Sequence, residues 1–478
     1  SGLLRFEGTT ARILTMNGDV AITAGGAVGS ASTGTVTTHR LQVGGDLTNE
    51  GTLDLSTNSD VAGAELRFVG QGSAAFAGTG ATDLRVLSLL KGSIDEVVEV
   101  TAPFTVRGAS GNDPVGFFLT GPYLGTLKLS GTATYASNVF LTPGYTILSS
   151  GGFWLDNPNF TVNGQAGSAT LTGRLRVSDG TFNVGTAADH SFEYNSLSFV
   201  TIEGGAVNVA GRFGVKSPNF TMTYTQTGGT VRVATAGNTS TTLASFDMGR
   251  SAGSGFTMTG GTIVVRHPST AGSGPRDYRA GVGTHVMTGG TLRFGDSLSA
   301  PSASYIMTAQ SSTVASVFPD LVIDNTSGAH SLEITTGPAL GLSAAITAGT
   351  ELTLGGFEVT LRGDLVNDGV LDGTAAGSRL RFGGTGGQSW SGTGMVAAPL
   401  AGLVIENPGG VTLGADPFTA LEVVLARGTL MNSHLITLGN GGSTSGVTRI
   451  GRAGLPFEGG HYDAAPAFNA GTGGVQVH

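Results

Sequence analysis

The chain has 478 residues, of which 81 are glycine and 16 are proline, and charged residues make up only 12%. Frequent turns and few long helices are therefore expected, without a collagen-like glycine period. The net charge is −9 and the 24 lysines and arginines are scattered, which argues against binding to nucleic acid or anionic lipid. The absence of cysteine excludes disulfides and thiolate metal sites. No apolar run approaches the roughly 18 residues of a membrane span.

The first part of the chain, residues 1–110, consists of short alternating segments that predict strands closed by Asn and Gly turns. Residues 45–54, GDLTNEGTLD, are echoed much later by residues 363–372, GDLVNDGVLD. Residues 66–70, LRFVG, are echoed in the same way by residues 380–384, LRFGG. The two ends of the chain are therefore expected to share one architecture.

The middle part, residues 111–320, contains five copies of a glycine pair, or Asp-Gly, followed by an alternating strand. The copies are DGTFNV, GGAVNV, GGTVRV, GGTIVV and GGTLRF at residues 179–184, 204–209, 228–233, 260–265 and 289–294. Their second glycines are 25, 24, 32 and 29 residues apart. A repeat of this length, built from a strand and a turn without a helix, is typical of a solenoid.

Equivalent positions of the five copies form columns if the repeats stack as parallel strands. Two columns are apolar and should face inward: Phe182, Val207, Val231, Ile263 and Leu292, and then Val184, Val209, Val233, Val265 and Phe294. The position between them is mostly polar and should face water. A third inward column contains one unexplained polar residue, Gln226. The glycine pair should form a corner that needs positive φ or close backbone approach.

The last part, residues 321–478, resembles the first and repeats the phrase LVIDN at residues 321–325 as LVIEN at residues 403–407. The sequence thus predicts an all-β fold, a right-handed parallel β-helix that runs as one continuous solenoid over residues 1–478. With about 24 residues per coil, it would have roughly 20 coils. The first and last segments look like ordinary coils without polar caps, so further coils or another copy are expected to cover both ends.

Residues 152–162, GFWLDNPNFTV, and residues 205–213, GAVNVAGRF, together with the LVIDN units, resemble the repetitive regions of very large surface proteins of the Bacteroidetes. The resemblance covers nearly the whole chain. It implies glycine- and threonine-rich parallel β-helix repeats and export by the type IX secretion route. It brings no catalytic residue with it, because its motifs specify a scaffold.

Candidate catalytic and metal-binding motifs are sparse. Residues 249–253 fit the G-x-S-x-G form of a nucleophile elbow, but that motif needs a strand-turn-helix setting and arises by chance in a glycine-rich chain. The eight histidines form no H-x-H or H-x-x-x-H pair. The acidic residues 95–99 lack the spacing of a calcium loop and are interpreted as a solvated strand edge. No catalytic, cofactor-binding or metal-binding residue is therefore predicted, and the chain is not expected to be an enzyme.

One expanded connection, residues 266–284, separates the fourth and fifth copies. It contains Arg276, Asp277, Tyr278 and Arg279, the richest concentration of charged and aromatic residues in the repeat block. Insertions in solenoids lie on one face, which is often the binding face. These four residues are a candidate partner-contact loop, and the alternative is a solvated loop without a partner.

Together these features predict an extracellular structural or adhesive surface protein, a rod-like scaffold that projects from the cell or assembles into a filament. Its expected partners are further coils or other copies, and surface polysaccharide or other cells. A β-helix polysaccharide-degrading enzyme is one alternative, and it would need clustered carboxylates. A carbohydrate-binding module is another, and it would need exposed aromatic platforms, for which Trp154, Trp390 and eight tyrosines are available.

Overall fold

The structure is a computed structural model. It describes residues 2–56, 62–106, 116–117, 123–133, 135–137, 139–140, 143–195, 197–217, 220–248, 253–270, 276–309, 311–414, 416–439, 445–449, 460–464, 467–468 and 475–477.

Short β-strands make up most of the described residues and are numbered here in chain order. The first half contains β1 (Leu3–Phe6), β2 (Ile13–Met16), β3 (Val20–Ile22), β4 (Ala27–Ser30), β5 (His39–Val43), β6 (Leu47–Asn49), β7 (Thr52–Asp54), β8 (Ala64–Val69), β9 (Ala74–Ala77), β10 (Ala81–Leu84), β11 (Val86–Leu90), β12 (Val97–Val100), β13 (Thr105–Val106), β14 (Gly116–Phe117), β15 (Gly125–Leu129), β16 (Tyr135–Ser137), β17 (Tyr145–Ile147), β18 (Gly151–Val162), β19 (Ala169–Leu171), β20 (Arg174–Val184), β21 (Phe192–Tyr194), β22 (Ser198–Ile202), β23 (Ala206–Val209), β24 (Phe213–Val215), β25 (Met222–Gln226) and β26 (Thr230–Val233).

The second half continues in the same way. It contains β27 (Phe246–Asp247), β28 (Gly255–Val265), β29 (Tyr278–Arg279), β30 (Thr284–Phe294), β31 (Ser304–Thr308), β32 (Ser316–Phe318), β33 (Asp320–Ile323), β34 (Ser331–Thr335), β35 (Ala339–Gly341), β36 (Ala344–Ile346), β37 (Glu351–Thr353), β38 (Glu358–Leu361), β39 (Leu365–Asn367), β40 (Val370–Asp372), β41 (Arg379–Phe382), β42 (Gln388–Ser391), β43 (Met395–Ala397), β44 (Leu400–Glu406), β45 (Val411–Gly414), β46 (Phe418–Arg427), β47 (Thr429–Met431), β48 (Ile436–Leu438), β49 (Ser445–Arg449), β50 (His461–Tyr462), β51 (Ala467–Phe468) and β52 (Val475–Val477). The one helix among the described residues is a single 3₁₀ turn, Ser433–Leu435.

The chain divides into two compact units. Unit 1 comprises Ser1–Gly211 with Phe220–Val231, and unit 2 comprises Arg212–Asn219 with Arg232–His478. The predicted division at residues 110 and 320 stays a prediction.

Unit 1 is a stack of parallel coils, in which each strand pairs with a strand of the next coil. One sheet runs β1-β4-β7-β10-β13, and a second runs β2-β5-β8-β11-β14. The longest runs β3-β6-β9-β12-β15-β18-β20-β22-β25. Unit 1 also contains the parallel run β17-β19-β21. Because every coil returns to the same sheet in the same direction, all these pairings are parallel.

Unit 2 is built in the same way, and three parallel sheets account for most of its strands. They run β27-β29-β31-β34-β37-β40-β43, β32-β35-β38-β41-β44-β46-β48-β51 and β28-β30-β33-β36-β39-β42-β45-β47-β50. Three faces therefore enclose an interior in which the inward side chains of successive coils stack.

The all-β, parallel β-solenoid prediction is confirmed, and the part of the chain that the structure describes forms about 16 turns. Roughly 20 were expected from about 24 residues per coil. Several coils are longer than that: Phe246 pairs with Tyr278, 32 residues further on, and Thr437 pairs with Ala467, 30 residues further on. The right-handedness of the helix stays a prediction.

The glycine-pair corners are confirmed. The second glycines have φ between +61° and +89°, and they are Gly180, Gly205, Gly229, Gly261 and Gly290. Only glycine adopts this left-handed conformation without strain. Close approach adds a second reason at Gly205, where a Cβ atom would lie 2.4 Å from the carbonyl oxygen of Gly180 on the neighbouring coil.

The two inward columns are also confirmed, since each of their ten side chains is at most 1% exposed. The proposed register holds within each unit: Phe182 pairs with Val207 in unit 1, and Ile263 pairs with Leu292 in unit 2. Two positions differ from the pattern. Val264, at the outward position of the fourth copy, is buried, and Met287, in the third inward column, is partly exposed.

Gln226, the polar misfit of the third column, is fully buried and satisfied by its own corner. Its Nε2 donates to the carbonyl oxygens of Gly228 and Gly229, at 3.1 and 3.3 Å. Its Oε1 accepts a hydrogen bond of 2.7 Å from the Tyr224 hydroxyl. A buried amide is tolerated when its hydrogen-bonding groups are paired, so Gln226 ties the glycine corner to the interior.

The echoed segments of the sequence fold alike. The first copy forms β6 and β7, and the second forms β39 and β40 at equivalent positions. The side chain of Asn49 is buried and donates to the carbonyl oxygen of Ala81 at 3.0 Å. Asn367 is buried in the same way and donates to the carbonyl oxygen of Met395 at 3.1 Å. The shared phrase therefore encodes one asparagine-bridged corner between coils.

Candidate functional site

Three of the four residues of the candidate partner-contact loop are buried and two of them form a strand, which corrects the expectation of a surface loop. Asp277 and Tyr278 are 0% exposed and Arg279 is 1% exposed, while Arg276 remains partly accessible. Tyr278 and Arg279 form β29, which pairs with β27 in unit 2. Three of the four side chains are thus inside the solenoid and are not available to a partner.

Internal partners explain how such a charged segment can be buried. The Arg279 guanidinium donates to both carboxylate oxygens of Asp247, at 2.9 and 2.5 Å. Tyr278 stacks on Phe246 with ring centroids 5.5 Å apart, and its hydroxyl donates to the carbonyl oxygen of Val317 at 2.7 Å. A buried charge is tolerated when it is paired and hydrogen-bonded. The sequence shows an unusual concentration of charged and aromatic residues here, but these residues stabilise the interior of the solenoid.

Asp277 is the exception in this cluster, because within the described part of the chain no cation pairs with it as Arg279 pairs with Asp247. Its two carboxylate oxygens accept hydrogen bonds from the backbone N–H groups of Ser269 and Ile306, at 2.6 and 2.7 Å. Burial nevertheless raises its pKa to about 7, and the backbone hydrogen bonds and Arg276 offset only part of that effect. This carboxyl group therefore titrates near neutral pH inside unit 2.

The other sequence candidates give no catalytic constellation. Residues 249–252 of the G-x-S-x-G match lie outside the described residues. Within the described part of the chain, no group of three or more His, Asp or Glu side chains is arranged to hold a metal ion. The acidic stretch at residues 95–99 faces outward in unit 1, where Asp95 pairs with Arg174 and Glu99 pairs with Lys128. These two ion pairs lie at a surface site that was not predicted from the sequence.

Two outward columns of unit 1 define that site. In the first, Lys128 of β15, Trp154 of β18 and Arg176 of β20 lie in register on successive coils. In the second, Thr126, Gly152, Arg174 and Phe199 follow one another on β15, β18, β20 and β22. Because alternate residues of a strand point to the same face, both columns project from the same surface.

A cleft of about 230 Å³ opens where Gly152 interrupts the second column. We name it the Gly152 cleft, and its principal lining residues are Asp95, Thr126, Gly152, Trp154, Arg174 and Phe199. Asp95 and Arg174 form an ion pair although 79 residues separate them in sequence. The cleft is therefore assembled from several consecutive coils.

Trp154 is held between two cations and does not present a free ring face. The Lys128 ammonium lies 4.3 Å from its ring centroid, and the Arg176 guanidinium lies 3.8 Å from it. The indole N–H donates to the Ser178 hydroxyl at 2.8 Å. Cations over an aromatic face are attracted by its quadrupole, so Trp154 positions both side chains. The second candidate platform, Trp390, is fully buried.

Carboxylates pair with the two cations that contact Trp154. Lys128 contacts Glu99 and Asp156, each at 2.9 Å. Partial burial lowers the pKa of Lys128, but its hydrogen bonds to these two carboxylates outweigh that effect and raise the pKa above its ordinary value. Arg176 donates to both carboxylate oxygens of Glu203, at 2.9 and 2.8 Å. Lys128 and Arg176 are therefore both paired with carboxylates.

Phe199 supplies the accessible aromatic surface of the cleft. Its side chain is 37% exposed, and the Arg174 guanidinium lies 5.7 Å from its ring centroid. The cleft thus combines a partly exposed aromatic ring, which Arg174 covers on one side, with guanidinium donors and the Asp95 carboxylate. Such a set can bind a ligand that has both an apolar face and several hydrogen-bonding groups.

A sequence signal for this site exists but is weak on its own. The outward residues Arg174 and Arg176 come directly before the first glycine-pair copy, and Phe199 holds the corresponding place before the second. An alignment of the residues that precede each copy would have placed Arg174 and Phe199 in one outward column. Asp95 could not have been found in this way, because its contact depends on how the coils stack.

Comparison with family models, curated proteins and solved structures finds no match. The resemblance to Bacteroidetes surface proteins and to type IX secretion substrates therefore stays a prediction. Within the described residues, no helix has the length and apolar character needed to span a bilayer.

Proposed function

We propose that this chain is an extracellular structural or adhesive surface protein, a β-solenoid scaffold that projects from the cell or assembles into a filament. The observation that carries the proposal is the parallel stacking of successive coils, with apolar side chains inside and columns of polar and aromatic side chains outside. Stacking of this kind extends a structure without adding separate cores, and it repeats surface groups at the spacing of the strands. Weak contacts repeated in this way give avidity.

Self-association is the proposed route to assembly. Leu3, Leu4 and Ile13, on β1 and β2, have side chains 62%, 43% and 62% exposed. Among the strands that the structure describes, β1 pairs with β4 and β2 pairs with β5, each on one side only. Unpaired strand edges with exposed apolar side chains favour pairing with another strand. A second copy of the chain would bury this surface.

Immunogold electron microscopy of intact cells of the source organism tests the proposed location and form together. Gold particles should label the outside of unpermeabilised cells, on stalks or filaments. Sections of the same cells provide the control for total protein. Labelling confined to the cytoplasm of sectioned cells would contradict the proposal.

We further propose that the chain has no catalytic activity, since Asp95, the carboxylate that lines the Gly152 cleft, is paired with Arg174. Incubation of the purified chain with a panel of polysaccharides and esters should release no reducing ends, unsaturated sugars or acids. Turnover that a single point substitution abolishes would show instead that the chain is an enzyme.

A further inference from the structure

We propose that the Gly152 cleft binds one pyranose ring of a neutral polysaccharide, with Phe199 as the stacking platform. This inference deepens the adhesive role and rests on it. The surface involved lies entirely in unit 1 and is built by β12, β15, β18, β20 and β22 together with Asp95.

The size of the cleft fits a small ring. Its volume of about 230 Å³ lies below the range of about 300–1,000 Å³ that is usual for drug-sized ligands. The floor is the backbone of Gly152, and a Cβ atom there would lie 2.2 Å from the Thr126 hydroxyl oxygen. The absence of a side chain at residue 152 therefore keeps the cleft open.

The chemistry of the walls matches a sugar. A pyranose ring has an apolar face of C–H groups, which carry partial positive charge and pack against the negative face of an aromatic ring. Phe199 is 37% exposed and offers at the surface the part of its ring that Arg174 leaves uncovered. The hydroxyl groups of the sugar both donate and accept hydrogen bonds. Arg174 supplies donors and Asp95 supplies acceptors at the same edge of the cleft.

The charge balance favours a neutral ligand over an anionic one. Arg174 pairs with Asp95, and Arg176 pairs with Glu203, so both cations already have carboxylate partners. An anionic sugar would have to displace a carboxylate or lie beside it. A neutral hydroxyl group can instead bridge an ion pair and leave it intact. The Arg174 and Asp95 side chains are 42% and 74% exposed, so they are accessible to such a bridge.

Trp154 acts as a positioning residue in this site. Cations from the two neighbouring coils lie over its ring, so it fixes Arg176 and Lys128 instead of stacking on the sugar. Its indole nevertheless lines the cleft. A sugar that enters should change the environment of Trp154, whereas Trp390 is buried and in unit 2. Intrinsic tryptophan fluorescence therefore reports occupancy.

The test uses the purified full chain and three neutral probes, namely cellotetraose, mannotetraose and laminaritetraose, with tetragalacturonate as the anionic probe. Binding is measured by calorimetry and by tryptophan fluorescence. At least one neutral probe should bind and alter the fluorescence. Binding of tetragalacturonate alone, or of none of the four probes, would overturn the inference.

Variants locate the site. Phe199→Ala should weaken binding of the neutral probe about tenfold, because the stacking face is lost. Phe199→Tyr should retain affinity within about twofold, because the ring remains. Leu197→Ala is the matched control, since Leu197 is exposed, apolar and outside the cleft lining. Thermal melts of all variants verify folding.

Equal affinity of Phe199→Ala and the unsubstituted chain would overturn the assignment of this cleft. That result would leave the cell-surface location untouched, since immunogold labelling measures it independently. Conversely, saccharide binding by a protein found only in the cytoplasm would overturn the adhesive role and retain the binding site.

Discussion

Two regions of the chain contain arginine–carboxylate pairs between neighbouring coils, and the pairs differ in where they point. In unit 1, Arg176 and Glu203 are 42% and 34% exposed. In unit 2, Arg279 and Asp247 are 1% and 0% exposed. The exposed pair borders a surface cleft, whereas the buried pair links coils inside the solenoid. Arginine and carboxylate residues thus border a surface cleft where their strand face points outward. They link coils in the interior where that face points inward.

The largest expected effect tests the inward and outward directions themselves. Val233→Asp should lower the free energy of unfolding by more than about 4 kcal/mol, because it buries an unpaired carboxylate. Arg232→Asp, at the partly exposed neighbouring position, should lower it by less than about 1 kcal/mol. Denaturant unfolding followed by circular dichroism measures both variants. The reverse ranking would refute the register of this column.

The second prediction compares the two arginines directly. Arg279→Met should destabilise unit 2 by about 3–5 kcal/mol, because it leaves the Asp247 carboxylate buried without its cation. Arg176→Met should change stability by less than about 1 kcal/mol, because its pair is exposed to solvent. Denaturant midpoints of the two variants give the comparison.

A double variant serves as the control for the buried pair. Replacing both partners, as Arg279→Met with Asp247→Leu, should recover much of the lost stability, because no uncompensated charge remains inside. Equal losses for Arg279→Met and Arg176→Met would show that burial does not distinguish the two pairs.

The last prediction concerns the pH dependence of stability. Because the pKa of Asp277 is raised to about 7, its protonated form favours the folded state. The resulting stability is complete below about pH 4, the ordinary range of aspartate. It is lost as the pH rises through about 7. Arg276 and Tyr305 also interact with this carboxyl group and are unchanged in the test.

Thermal unfolding of the chain between pH 4 and pH 8 measures this effect. The unfolding temperature of unit 2 should fall over that interval, and Asp277→Asn should flatten the dependence because it removes the titrating group. The matched control is Asp95→Asn, at an exposed carboxylate of unit 1. Identical pH profiles for Asp277→Asn and the unsubstituted chain would contradict a titrating Asp277.

Much of the fold was accessible to sequence reasoning because stacked coils repeat local rules. The positive φ of Gly205 and the burial of Val233 follow from a corner and an alternating strand, and both recur in each copy. Gln226 could not be explained in this way, because its partners are Tyr224 and the glycine carbonyls of its own corner. The residue type shows that Gln226 can form hydrogen bonds. Its partners depend on where the side chain points, which the sequence does not show.

The candidate partner-contact loop and the Gly152 cleft also depend on contacts that the sequence does not show. The charged segment that contains Arg279 was expected at the surface, because loops in solenoids are often exposed. Its pairing with Asp247, 32 residues earlier in the sequence, makes burial favourable. The Gly152 cleft was missed because it joins Asp95 to Arg174 across several coils. Contacts between residues so far apart in the sequence do not produce a periodic sequence pattern.

The sequence by itself determined the parallel solenoid, its glycine corners and its apolar columns, because these depend on the alternation of a strand and on the conformational freedom of glycine. Only the tertiary structure decided which charged residues lie inside and which border a cleft. Whether a charge can be buried depends on a partner within hydrogen-bonding distance. That partner is set by coil length and register, as Asp247 is for Arg279 and Asp95 is for Arg174.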